Sequence, residues 1–209
     1  MTTKKLTIAL AAASAVAALA VGGAVAFAAS PGSAPAHSGS PAIVRAAPGG
    51  SDPGDVQIAK DCLAATPNVP DLGSWYPGAK IDTGAGNGFL MIRNDNTAAV
   101  CVIDNGKGTG VMGAEFDTRH VYGKLTAQRP FDYLTSMNYQ TESIHFGIAT
   151  GDVAGVSLVG PDKSVTGGVL KAGTFIVKTK VAENSNQGST NHVRAILNNG
   201  RVIEGPFRA

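Results

Sequence analysis

The sequence predicts a mainly β domain, an antiparallel sandwich or barrel-like fold with one short helix at its N-terminal end. Three observations carry this. Short apolar runs recur along the second two thirds of the chain, Asn-Gly and Gly-rich turns separate them, and one segment alone has helical spacing. With 27 Gly and 11 Pro in 209 residues and 44% hydrophobic side chains, the chain is turn-rich but too apolar to be disordered throughout.

The N-terminal region reads as a targeting and spacing segment ahead of that domain. Met1 to Lys5 is short and basic, and the 24 residues Leu6 to Ala29 carry no charge. Ala26-Phe27-Ala28 offers small residues at the positions a signal peptidase reads, so residues 1–28 are expected to be a signal peptide cut before Ala29. The rival reading keeps them as an uncleaved membrane anchor, because 24 residues at ~1.5 Å each would cross a ~30 Å hydrocarbon core. Both readings put the rest of the chain outside the cytoplasm, as a secreted or membrane-anchored protein. Residues 29–54 hold five Pro, five Gly and five Ser, which cannot bury enough surface to offset ordering entropy, and are expected to form a disordered spacer. Residues 55–209 then form a single extracytoplasmic domain of ordinary size.

Within that domain the helix comes first. Asp55 is placed to cap it, Ile58 with Cys62 and Ala59 with Leu63 fall at i, i+4, and Thr66-Pro67 stops it after Ala65. Phe89 to Ile92 and Val100 to Ile103 are strands divided by the turn-forming Asn94-Asp95-Asn96. Asp104-Asn105-Gly106 turns the second of these into a return strand through Gly110 to Phe116. Ile144, Phe146 and Ile148 alternate with Ser143, His145 and Gly147, the period of a half-buried strand. Phe175, Val177, Thr179 and Val181 alternate with Ile176, Lys178 and Lys180, the lysines directed to water. Asn198-Asn199-Gly200, between Ala195-Ile196-Leu197 and Val202-Ile203, is the strongest hairpin signal.

Cys62 and Cys101 are the only cysteines, and an exported chain with an even count is expected to pair them in a structural disulfide. The bridge would tie the helix to the second apolar strand and close a loop of about 40 residues, worth about 4 kcal/mol in the chain-entropy model. The signal, the spacer, the helix with Cys62, the strand with Cys101 and the runs Val153 to Asp162 and Gly173 to Val177 together resemble a group of exported actinobacterial proteins of unknown function. That resemblance implies an extracytoplasmic β domain with one disulfide, and no activity. Lys163 stands where the pattern would continue with Gly.

No residue set commits the chain to catalysis. Gly155-Val156-Ser157-Leu158-Val159 lacks the last Gly of a nucleophile elbow and has no helix after it. His37, His120, His145 and His192 are scattered without a metal-binding spacing, so no metal site is expected. Glu115 and Asp117 would share one strand face, as solvated carboxylates commonly do. Asn94-Asp95-Asn96 lacks the further oxygens that Ca²⁺ needs. The clusters Gly84 to Gly88 and Gly106 to Gly110 precede no helix and read as loop tips rather than phosphate cradles. Trp75-Tyr76, beside Pro77-Gly78, could stack on a sugar or peptide if exposed, and is the candidate binding pair.

Function is bounded accordingly. Without Lys4 and Lys5, 15 of the 17 basic residues face 15 acidic ones, which excludes the basic excess that nucleic acid or anionic lipid demands. The reading is a non-catalytic binding or interaction domain without a cofactor, its partner a cell-envelope or extracellular protein or glycan. Two alternatives stay open: a cell-envelope hydrolase using His145 or His120 with Glu115 or Asp117, and a secreted inhibitor presenting a rigid loop.

Overall fold

Helix α1 covers Pro53–Ala65, starting two residues before the expected cap. Asp52, in extended backbone, accepts the Gly54 N–H at 2.7 Å, and Pro53 sits in the first turn where its missing N–H leaves nothing unsatisfied. Asp55 therefore does not cap. Its buried carboxylate takes Lys80 Nζ and Lys171 Nζ, each at 3.2 Å, so it fastens the helix instead. The computed structural model describes residues 43–67, 69, 74–95, 97–112, 125–160, 162–180 and 192–205. The expected signal peptide or anchor, spacer residues 29–42 and the return strand beyond Met112 lie outside the described residues. Residues 43–54, expected as the end of the spacer, are ordered. Trp75 N–H donates to the Ile43 carbonyl at 2.7 Å, Arg45 N–H to that of Trp75 at 2.8 Å, and Ala47 is buried.

Twelve strands are described, in three four-stranded antiparallel sheets. Sheet I is β1 (Tyr76–Gly84), β2 (Asn87–Arg93), β3 (Ala98–Asp104) and β4 (Lys107–Met112), in that order. Sheet II runs β5 (Phe131–Tyr139), β6 (Glu142–Ala149), β10 (Thr174–Lys180), β9 (Val169–Lys171). Sheet III runs β12 (Val202–Gly205), β11 (His192–Leu197), β7 (Val153–Val159), β8 (Val165–Gly167). Turn chemistry sets the hairpins. Asn105 and Gly106 have φ of 51° and 78°, the pair of positive values a two-residue primed turn requires. The Asn198-Asn199-Gly200 hairpin joins β11 to β12 as expected, with Leu197 N–H bonded to the Arg201 carbonyl at 2.9 Å.

The layers follow from alternation in each strand. Leu90, Ile92, Ala99, Cys101 and Ile103 of sheet I pack with Ile58, Ala59, Cys62, Leu63 and Trp75. The other face, Phe89, Met91, Ala98 and Val100, packs on Ile144, Phe146, Ile148 and Ile176 of sheet II. Phe131, Ala149, Phe175 and Val177 of sheet II meet Val156, Leu158, Val193, Ala195 and Leu197 of sheet III. The order is helix, sheet I, sheet II, sheet III. The fold is thus mainly β with stacked antiparallel sheets, and no sheet closes into a barrel. Because sheet II is covered on both faces, β6 is buried from Ile144 to Ala149 rather than half-buried, and β10 is buried from Thr174 to Val177 before its lysines reach water.

The Cys62–Cys101 disulfide joins α1 to β3 with Cα atoms 5.7 Å apart and both residues fully buried. It reaches the third strand because β1, whose Pro77-Gly78 reads as a turn, precedes the two apolar runs. Close approach of the helix depends on Gly108 of β4, where an added methyl would collide with the Ile58 carbonyl and with Cys62. Thr66 completes the joint, accepting Val111 N–H at 2.9 Å and donating to the Cys62 carbonyl at 2.8 Å. Gly108→Ala should cost about 1 to 3 kcal/mol through overpacking, read by urea denaturation with the disulfide intact. An unchanged midpoint would show that α1 does not rest on β4 as described.

Candidate functional site

The residues singled out in the sequence occupy different parts of the fold. Trp75 is fully buried in the core under α1 and Tyr76 is 7% exposed, so the expected stacking pair is interior packing. Placing them there is the backbone pairing of Val44 with Trp75, which draws the segment before the helix over this end of sheet I. Ser157 lies on the outward face of β7 opposite Arg194, but is buried there, with its hydroxyl 3.5 Å from the Arg194 carbonyl. Asn94 closes its turn by accepting Thr97 N–H on Oδ1 at 2.8 Å. Of the two Gly clusters, Ala85-Gly86 and Asn105-Gly106 are adjacent hairpin tips joined by a 2.7 Å bond from Gly106 N–H to the Gly86 carbonyl. Among the described residues no three His, Cys, Asp or Glu side chains converge on a metal position. His37, Glu115, Asp117 and His120 lie outside the described residues.

His145 and Asp132 are the buried titratable groups of sheet II among the described residues. His145 shares the face of Phe175 and Val177 on β10, turned toward the interior joint with sheet III. One ring nitrogen, Nδ1, lies 3.0 Å from Tyr133 Oη and the other, Nε2, 3.1 Å from Ser143 Oγ. Ser143 follows from strand spacing, two residues away on the same face; Tyr133 comes from β5. Burial lowers the imidazole pKa from 6.5 to about 4, since a charged ring there would forgo water. At neutral pH the ring is an uncharged hydrogen-bonding link between two hydroxyls.

His192 lies on the outer face of sheet III beside an ion pair. Arg194 Nε binds Glu204 Oε1 at 2.7 Å, and His192 Nε2 lies 3.3 Å from Oε2. The hydrogen bond from Arg194 holds the Glu204 carboxyl below its ordinary range although it is exposed. Two register positions along, on the same face, Ile196 and Val202 form a cross-strand pair exposed by 43% and 51%.

The concave feature that sequence reading missed sits at the hairpin end of sheet III. Ala127, Pro130, Asp152, Leu197, Asn198, Asn199 and Arg201 line a depression of about 330 Å³. Three separate stretches build it: the loop before β5, the β6–β7 turn and the β11–β12 hairpin. Backbone and amide bonds pin them together. Asn198 N–H donates to the Asp152 carbonyl at 2.8 Å, Asn198 Nδ2 to that of Gly151 at 3.0 Å, and Thr150 N–H to that of Pro130 at 2.8 Å. Arg201 N–H is held by Asn199 Oδ1 at 3.0 Å. Only the hairpin was legible in advance. Nothing in sequence spacing signals that residues 127, 152 and 201 meet.

No family model matches this chain, and no curated protein or solved structure matches it. Among the described residues no helix is long and apolar enough to cross a membrane. The disulfide suggests an oxidising, extracytoplasmic setting.

The buried histidine sets a direction for pH. Its pKa is about 4 folded and near 6.5 unfolded, so between these values the unfolded chain takes up a proton that the folded chain refuses. Stability is therefore full above about pH 6.5, falls as pH drops, and stops falling from this cause below about 4. Relative to pH 7.5, His145 should remove about 2 to 3 kcal/mol at pH 4.5, and His145→Gln should lose that part of the slope. Parallel urea curves at the two pH values measure it; identical slopes in both proteins would contradict the burial.

Proposed function

We propose that the chain is an exported extracytoplasmic binding module, secreted or held at the membrane by its N-terminal segment, whose ligand engages the hairpin end of sheet III. The observation that carries this is the depression pinned between three segments, a concave surface lined by both polar and aliphatic residues. Its walls are preformed, which lowers the ordering cost of binding. The exposed Ile196–Val202 pair extends the same hairpin with apolar area a protein partner could cover. The likeness to exported actinobacterial proteins belongs to this proposal and points to the same cell-envelope setting.

The hydrolase alternative has weaker support. An imidazole that ionises only near pH 4, held between two hydroxyls inside sheet II, is a poor general base near neutrality. A glycan docked by aromatic stacking would need other rings than Trp75 and Tyr76, since both are buried. Sedimentation with isolated cell-envelope material tests the proposal. The native chain should co-sediment, and Asn199→Ala with Arg201→Ala should reduce the bound fraction at least roughly tenfold, about 1.4 kcal/mol. Equal retention of both, or of neither, would remove this surface from the function.

A further inference from the structure

We propose that this depression binds a zwitterionic α-amino-acid unit, a free amino acid or a short peptide with both ends free, its carboxylate on Arg201 and its ammonium on Asp152. This rests on the reading of the depression as the binding site and names the ligand class that fits it.

The two charges are left unspent by the fold. Arg201 donates through Nη2 to the Ala127 carbonyl at 3.5 Å, a long bond that leaves the rest of its guanidinium fork for a carboxylate. The Asp152 carboxylate takes part in no hydrogen bond or ion pair among the described residues, while its backbone carbonyl is tied to Asn198. Opposite charges lining one depression would ordinarily pair. Here each is carried on a backbone fixed by other bonds, at Asn198 for one and Asn199 for the other, and no ion pair joins them.

Such a site discriminates by charge pattern. A simple anion would gain Arg201 but meet Asp152, and a simple cation would meet the reverse, whereas a ligand with one charge of each sign satisfies both. The aliphatic part of the lining limits the remainder. Ala127, Pro130 and Leu197 are aliphatic, so a small apolar side chain fits them, and among the described residues no aromatic ring lines the site to stack a nucleobase or sugar face. A volume of about 330 Å³ is at the small end for ligand sites, which suits one or two residues rather than a longer segment.

The test is an amide chemical-shift titration of the ¹⁵N-labelled chain with alanine, alanyl-alanine, N-acetyl-alanyl-alanine and alanyl-alanine amide. Alanine or alanyl-alanine should shift the amides of residues 127, 152 and 197–201, and each blocked dipeptide should bind at least roughly tenfold more weakly than the free one. Which of the two free ligands binds more tightly tells a single amino acid from a peptide. Asp152→Asn should abolish the penalty for blocking the amine, and Arg201→Gln the penalty for blocking the carboxylate. The spectrum of each variant reports directly whether it folds. No shifts up to ~10 mM, or equal affinity for free and blocked forms, would overturn the proposal. If envelope co-sedimentation still depends on the hairpin tip in that case, only the ligand class fails; if that dependence is also absent, the site fails with it.

Discussion

Two of the three sheets have a covered layer on each face, and the rest of the structure follows from that constraint. In a strand, successive side chains point to opposite faces, so a doubly covered sheet must be apolar at consecutive positions. Strand β2 satisfies this from Gly88 to Ile92, with Leu90 and Ile92 under the helix and Phe89 and Met91 on sheet II. Strands β6 and β10 do the same one layer further in. Sheet III, with its far face turned outward, can carry His192, Arg194 and Glu204 on β11 and β12 while Val193, Ala195 and Leu197 fill the core. Polar groups and the concave loop end therefore gather at that side of the stack.

Stacking needs joints, and each joint is made of a few side chains. Thr174, fully buried, accepts the Ala79 N–H at 2.8 Å and donates to the Lys171 carbonyl at 3.0 Å, linking sheet I to sheet II. Arg93 reaches from the end of β2 to the Gly173 carbonyl at 2.7 Å. Asp55 draws one lysine from β1 and one from β9. A buried carboxylate with a single partner would be costly, and two ammonium groups at the helix N-terminal turn offset its desolvation. Sheets II and III are joined covalently as well, because the chain crosses from β8 to β9 at Gly168, whose N–H bonds the Val156 carbonyl at 2.8 Å.

What the sequence revealed was local. The Asn-Gly hairpins, the apolar runs of β2 and β3, the helix body and the cysteine pair all rest on interactions within a few residues or on an even count, and the structure holds each of them. What it concealed was the third dimension. A period-two pattern distinguishes one buried face from two only if the polar positions are strongly polar, and Ser143, His145 and Gly147 are small or amphipathic enough to enter a core. Strand β1 is hidden because Pro77-Gly78 reads as a turn and Lys80 and Asp82 as surface, although an edge strand accommodates all four. Trp75 and Tyr76 show the same ambiguity: an aromatic pair beside Pro-Gly looks exposed until the segment at Val44 is seen to cover it. The depression was illegible for a different reason, since its charges come from turns 49 residues apart that only sheet stacking brings together.

Hydrogen exchange tests the layered core most directly. Amides protected on two faces open only in global unfolding, whereas those near an outer face or edge can open locally. The account predicts that the amides of Ile144 to Ile148 and Phe175 to Val177 exchange most slowly, with protection matching the global unfolding free energy, and that those of Val202 to Gly205 exchange well before them. Protection on β6 and β10 equal to or lower than that on β12 would contradict a sheet enclosed between two others.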